Sequence, residues 1–211
     1  MKKSDRLVQP ATNSEFALYG RRNFLRRTAL GSAALLFAAS GGATPECLET
    51  EDNIEGPFYK AGAPERFRLV EPGMPGTRLV LSGRVLSLDC QPLRDAVLDV
   101  WQADDAGQYD NEGFTLRGRL YTDKEGKYRL ETIVPKHYHI GGENQYRPAH
   151  IHVKAGAKGF PLLTTQVYFQ GDRYNAVDPY FRRTLAIDPK QAGSGKEARF
   201  DFVLKPGDAR A

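Results

Sequence analysis

Beyond residue 76 the chain alternates between apolar and polar positions. Residues 78–88 read RLVLSGRVLSL, an imperfect period of two. The pattern returns at 96–103 (AVLDVWQA), 117–121 (RGRLY), 127–134 (KYRLETIV), 149–155 (AHIHVKA), 162–169 (LLTTQVYF) and 197–203 (EARFDFV). Successive side chains of a strand point to opposite faces, so each run predicts a strand with one buried side. In the last run Ala198, Phe200 and Phe202 form one clean apolar face unless a bulge interrupts it. Turn signals separate the runs at Asp105–Gly107, Asp123–Gly126, Ala157–Gly159 and Gly171–Asp172. After residue 44 no stretch longer than about ten residues has helical spacing. Only a short helix near Pro179–Leu185 fits the pattern. Seven or more short strands with hairpin-like links predict an all-β fold, an antiparallel β-sandwich spanning residues 77–211. Residues 44–76, punctuated by Pro45, Pro57, Pro64, Pro72 and Pro75, read as a proline-rich N-terminal arm.

The first 43 residues have a different character. A polar head leads to Arg21-Arg22, then Phe24-Leu25, then an apolar run from residue 28 to residue 40 that ends in small residues. This is the tripartite shape of an export signal, and the paired arginines give it twin-arginine character. The run is too short to span a bilayer comfortably. The expectation is an exported protein, periplasmic or extracellular, with no membrane attachment after export. Charge supports that division. Residues 1–43 hold seven of the 30 basic and two of the 26 acidic residues. The remaining 23 basic and 24 acidic residues leave a net charge of −1, which gives no electrostatic footprint for nucleic acid. Cys47 and Cys90 both follow the signal, and in an oxidising compartment they are a disulfide pair. No Cys-x-x-Cys occurs, so a redox dithiol has no support.

The chain has four histidines, all within residues 137–152. His150 and His152 flank Ile151 in a strand-like run, so their imidazoles share a face and make half of a metal site. A packed histidine pair with no metal fits the same spacing. His137 and His139 bracket Tyr138, and in one strand both would point away from it. On residue types alone a histidine-rich zinc or iron(II) site stays open. Tyrosine is an unusual ligand at neutral pH, because a phenol ionises near 10 and needs a strongly acidic ion to ionise lower. Most buried tyrosines are core residues, and ten are present here.

Several segments taken together carry a resemblance. EGPFY (55–59), DVWQADDAGQYD (99–110), RGRLYTDKEGKYRLETIVPKHY (117–138), RPAHIHV (147–153) and TTQVYFQGD (164–172) resemble the intradiol ring-cleavage dioxygenases, in that family's order. These are non-haem iron(III) enzymes that open catechols between the two hydroxyls, and their core is a β-sandwich. The resemblance implies four metal ligands, Tyr109, Tyr138, His150 and His152, with Arg147 and Gln166 in the pocket. It also implies a catechol-type substrate, dioxygen as co-substrate and a homo-oligomeric assembly. The short arm makes the chain more similar to protocatechuate-type subunits or small exported members than to the catechol-type enzymes, which carry a helical dimerisation segment. Lys136-His137 stand where the family usually has small or turn residues.

By the same resemblance Tyr138 would leave the metal and act as a base while Tyr109 stays bound. Arg147 would stabilise negative charge on the ring and its oxygens, and Gln166 would hydrogen-bond the same groups. Phe58 would wall the pocket, whereas Trp101 is more naturally a core residue. The reading of a different class is a non-catalytic sandwich that binds a metal or an aromatic ligand.

Overall fold

A computed structural model describes residues 46–141 and 145–207. The expected export signal, 1–43, lies outside the described residues. Twelve strands follow in chain order: β1 (Arg78–Ser87), β2 (Val97–Gln102), β3 (Arg117–Tyr121), β4 (Lys127–Ile133), β5 (Tyr138–His139), β6 (Tyr146–Arg147), β7 (His150–Gly156), β8 (Leu163–Phe169), β9 (Ala186–Ile187), β10 (Lys190–Ala192), β11 (Gly195–Arg199) and β12 (Phe202–Leu204). The helix expected at Pro179–Leu185 is reduced to one 3-10 turn, Arg183–Leu185.

Two sheets form a sandwich. In one, β1 pairs along one edge with β4 and along the other with β11 and then β12, and β10 extends β11. The other runs β3-β2-β7-β8-β9, and β5 and β6 form a separate two-stranded ribbon. The facing sides supply one apolar core. Leu79, Leu81, Val85 and Leu130 come from the first sheet, and Leu98, Val100, Ile151, Val153 and Val167 from the second. Each such side chain contributes roughly 1.5–3 kcal/mol relative to leaving it exposed.

The sheets are mixed, which corrects the antiparallel expectation. The pairs β1–β11, β1–β12 and β8–β9 are parallel. Alternation and turn residues report hairpins between consecutive strands, such as β7–β8 and β10–β11. They carry no signal for parallel partners, which require long crossovers.

The final apolar run is divided at Phe200-Asp201 into β11 and β12 with no bulge, and Gly83 on β1 gives the Phe200 carbonyl room. A Cβ at Gly83 would lie 1.8 Å from the Phe200 carbonyl oxygen. The Phe200 N–H donates to the Ser82 carbonyl (2.9 Å), and the Asp201 carboxylate accepts from the Arg84 N–H (2.8 Å). Both residues therefore keep hydrogen bonds to β1, and the register is the same on either side, with Ser82 facing Arg199 and Val85 facing Phe202.

Among the described residues, 46–76 form no named strand. They attach through isolated backbone bonds (Cys47 N–H to Leu88 O, Thr50 to Val203, Asn53 to Thr164) and through two parallel bridges, Glu65 with Arg119 and Arg68 with Glu131. Cys47 and Cys90 form a disulfide, with Cα atoms 5.3 Å apart, which anchors the start of this segment beside the end of β1.

Candidate active site

The site is built on the face of the second sheet that turns away from the core. On β7, Ile151, Val153 and Ala155 enter the core cluster, so His150, His152 and Lys154 take the opposite side. Register places Trp101 on β2 and Gln166 on β8 beside His152, and Tyr168 beside His150. Residues 54–58 lie over this outer face. Ile54 accepts a hydrogen bond from Gln166 Nε2 (2.7 Å), and Gly56 lies against the His152 ring. His150, His152 and Gln166 are thereby buried although they do not belong to the core.

Trp101 was expected in the core. It is buried, but its ring lies 4.7 Å from that of His152 with the planes 4° apart. It therefore sets the plane of that imidazole. Phe58 stacks on Tyr109 at 4.3 Å and meets Tyr138 edge-on at 5.8 Å, as a pocket wall would.

Tyr109 arrives on the loop after β2. The Asp104 carboxylate accepts from the Ala106 and Gln108 N–H groups (2.9 and 2.8 Å), and Gly107 takes a φ of +80° that favours glycine. A Cβ at Gly107 would lie 2.7 Å from the His137 carbonyl oxygen, so this loop packs closely on the segment that carries Tyr138. The sequence reading missed Arg117. It is 1% exposed, and it donates Nε–H to Asp110 O (3.0 Å) and Nη1–H to Phe58 O (2.6 Å). One buried cation thus fastens both the Tyr109 loop and the covering segment.

Tyr138 and Arg147 are cross-strand partners in the β5–β6 ribbon. Arg147 Nη2 donates to Gln166 Oε1 and to the Tyr168 hydroxyl, both at 2.9 Å, and Nε donates to Asp178 Oδ2 at 3.0 Å. Arg147 and Asp178 thus form a buried ion pair, with side chains 6% and 1% exposed. Tyr168 has a sequence signal, two residues from Gln166 in the quoted motif. Asp178 has none. His137 and His139 pack away from this centre, His137 against Tyr174 (4.7 Å) and Tyr146 (5.6 Å), His139 against Tyr146 (5.0 Å). The four histidines therefore do not form one cluster. Among the described residues no group of three or more His, Cys, Asp and Glu side chains gathers to hold a metal.

What does gather is a mixed set. The Nε2 atoms of His150 and His152 are 3.0 Å apart, and the Tyr109 hydroxyl is 3.5 Å from His150 Nε2. The Tyr138 ring lies 5.3 Å from that of Tyr109 and 5.6 Å from that of His150. Burial lowers both histidine pKa values, His150 to about 3, and the nearby Arg147 charge acts in the same direction. Both imidazoles are thus neutral, as ligands must be. Burial pushes both phenols up, Tyr109 strongly, while Arg147 opposes the shift at Tyr138.

These residues fit a metal ion of high charge. His150 Nδ1 lies 2.7 Å from the Pro148 carbonyl oxygen, so it carries the proton and leaves the Nε2 lone pair facing the other donors. Two phenol oxygens complete the set, and buried phenols ionise only beside a strong Lewis acid. Hard anionic oxygen with imidazole suits iron(III) better than a soft or thiophilic ion. His152 Nδ1 is buried with no hydrogen-bond partner among the described protein atoms.

A family profile described as Dioxygenase matches residues 54–206. Catechol 1,2-dioxygenase 2 of Acinetobacter lwoffii is 39% identical over 145 residues, covering 59% of this chain and 53% of that protein, so the match spans about half of that relative. The 6-chlorohydroxyquinol 1,2-dioxygenase of Cupriavidus pinatubonensis is 33% identical over 208 residues, covering 88% of this chain and 75% of the relative. Among solved structures, the dioxygenase domain of a dioxygenase–carbohydrate-binding fusion from a cellulolytic Streptomyces superposes with a TM-score of 0.69 at 44% identity. That match covers 75% of this chain and 99% of the domain.

Proposed function

The chain belongs to the intradiol ring-cleavage dioxygenase family, and we propose that it opens a catechol-type aromatic between its two hydroxyls, using dioxygen at a non-haem Fe(III) centre to give a muconate-type diacid. One observation carries this reading. Two phenols and two neutral imidazoles meet in a buried pocket beside Arg147 and Gln166. Tyr109, Tyr138, His150 and His152 would hold the iron. When bound, it would supply a Lewis acid that chelates both catechol oxygens and draws electron density from the ring.

The protein's own groups account for the rest. Tyr138 faces Arg147 across the ribbon, and that cation favours its phenolate, so Tyr138 is placed to take a catechol proton. Arg147, held in a dry pocket, stabilises negative charge on the ring oxygens far better than it would in water. Gln166 has its carbonyl engaged by Arg147 and Tyr168 and its amide engaged by Ile54, so it is fixed before substrate arrives. Phe58 and Trp101 exclude water. The test is oxygen uptake by the Fe(III)-loaded protein with catechol, protocatechuate, hydroxyquinol and chlorocatechols, following diacid absorbance. Uptake matched by diacid from at least one of them is expected. A loaded protein that consumes oxygen with none of them is a binding module and not this enzyme.

We propose further that residues 1–43 direct export by the twin-arginine route. The support is the Arg21-Arg22-x-Phe24-Leu25 pattern and the Cys47–Cys90 disulfide, which suits an oxidising compartment. Arg21→Lys together with Arg22→Lys should retain the protein in the cytoplasm. Unchanged fractionation would reject the route.

A further inference from the structure

The Arg147 guanidinium is held from behind. Its Nε–H donates to Asp178 Oδ2 at 3.0 Å, its Nη2 lies 3.0 Å from the same oxygen, and Nη2 also reaches Gln166 and Tyr168. The Tyr180 ring covers it, with the guanidinium carbon 5.0 Å from the ring centroid. Tyr138 faces Arg147 across the β5–β6 ribbon, and the guanidinium charge acts to lower its phenol pKa against the effect of burial. Asp178 is itself fixed by the loop that follows β8. Its Oδ1 accepts the Tyr180 N–H (2.8 Å), and its own N–H donates to Tyr174 O (3.1 Å). The Tyr180 carbonyl oxygen lies 3.1 Å from the Tyr168 hydroxyl, which shares its proton with Gln166 Oε1, and accepts from Asn53 Nδ2 (2.8 Å). The loop, β8 and the segment over the site therefore meet around one cation.

A carboxylate with a 1% exposed side chain needs a reason to be there. Buried ion pairs are poor stabilisers, because desolvation offsets most of their attraction. Orientation is the better account. A long arginine side chain has many rotamers, and a cation that must face charge developing on the substrate works best when it does not reorganise during the reaction.

Resting on the ring-cleavage reading above, we propose that Asp178 is a positioning residue for the reaction, fixing the Arg147 guanidinium so that it meets the Tyr138 hydroxyl and the oxygens of the bound ring. Asp178 touches neither the substrate nor the metal ligands in this role. Its whole effect passes through Arg147.

The experiment is a double-mutant cycle on the Fe(III)-loaded full chain: Asp178→Ala, Arg147→Ala and both together, with Asp178→Asn as the conservative variant. Asp178→Ala should lower kcat by about tenfold or more with KM changed less than about threefold. In the Arg147→Ala background the same substitution should change kcat by less than about twofold. Asp178→Asn, which keeps an oxygen for Nε–H, should retain more activity than Asp178→Ala. The visible tyrosinate band of the resting protein should not move in any Asp178 variant. A second cycle on the iron-free proteins, by urea unfolding, should show the two substitutions to be non-additive. Equal kcat losses in both backgrounds, full activity in both Asp178 variants, a displaced resting band or additive unfolding would each overturn the proposal. If Asp178→Ala does not fold, Asp178→Asn carries both cycles. Absence of oxygen uptake in the unsubstituted protein would instead reject the ring-cleavage reading, and the unfolding cycle would still report on the Asp178–Arg147 contact.

Discussion

The Nε2 atoms of His150 and His152 face each other at 3.0 Å. His150 has its Nδ1 proton committed to the Pro148 carbonyl, so its Nε2 can only accept. The hydrogen bond between the rings therefore requires His152 to donate from Nε2 in the iron-free protein. Iron would need that same Nε2 lone pair, so binding would move the His152 proton to Nδ1. The expectation is opposite tautomers in the iron-free state, Nδ1–H for His150 and Nε2–H for His152. Long-range proton–nitrogen correlation spectra of the imidazoles distinguish them, and matching tautomers would refute the assignment.

Loading with Fe(III) should release protons and produce colour together. Burial raises the pKa of both phenols without a metal, that of Tyr109 strongly. Ligation would ionise both, releasing about two protons per iron, and ferric tyrosinate absorbs in the visible. Tyr109→Phe should lose much of the colour and about one released proton, with turnover depressed. Chelation of the iron should bleach the unsubstituted protein. Full colour and two protons in Tyr109→Phe would exclude Tyr109 as a ligand.

Stability of the iron-free protein should fall in mild acid. His150 takes a proton near 6.5 when unfolded but only at about 3 when folded, because of burial and the nearby Arg147 charge. Between those values the unfolded chain binds more protons, so stability declines as pH falls through 6.5 toward 3. A single such imidazole contributes up to about 1.4 kcal/mol per pH unit, and His152 acts in the same direction. His150→Asn should flatten the fall in urea midpoint between pH 7 and pH 5. An identical pH dependence in the variant would show that His150 is not held neutral.

The disulfide should be worth a measurable part of the total stability. It closes a separation of 43 residues, and removing a cross-link of this kind costs about 2–4 kcal/mol. Cys47→Ser with Cys90→Ser should lower the urea midpoint to that of the reduced unsubstituted protein. A difference between those two midpoints would mean that the serines act by something other than losing the bond.

Most strands with five or more alternating residues were legible, with ends shifted by no more than one position in β1, β2, β4, β7 and β8, whereas the run at 197–203 proved to be parts of two strands. The ribbon β5–β6 and the strands β9 and β10 have two or three residues each, too few for a period to declare itself. Half of the site was legible from spacing. His150 and His152 share a face because they are two apart in a strand, and the structure brings their Nε2 atoms together. Tyr109 and Tyr138 were reachable only through the family motifs, because nothing in their spacing joins a loop to a ribbon. Trp101 was misplaced because alternation separates two faces without saying which is the core. Here both faces of the second sheet are buried, one by the other sheet and one by residues 54–58. Asp178 lies in a loop with no period at all, and only the fold brings it to Arg147.

The strand β7 is two interleaved texts. Ile151, Val153 and Ala155 spell out the apolar core, and His150, His152 and Lys154 spell out the covered face. A change in the first text should register as melting at any pH, and a change in the second as altered chemistry and, at the histidines, as an altered pH dependence of stability. A lineage could therefore retune the catalytic face letter by letter while the scaffold's apolar letters stay fixed, since the two sets occupy alternate positions on this strand.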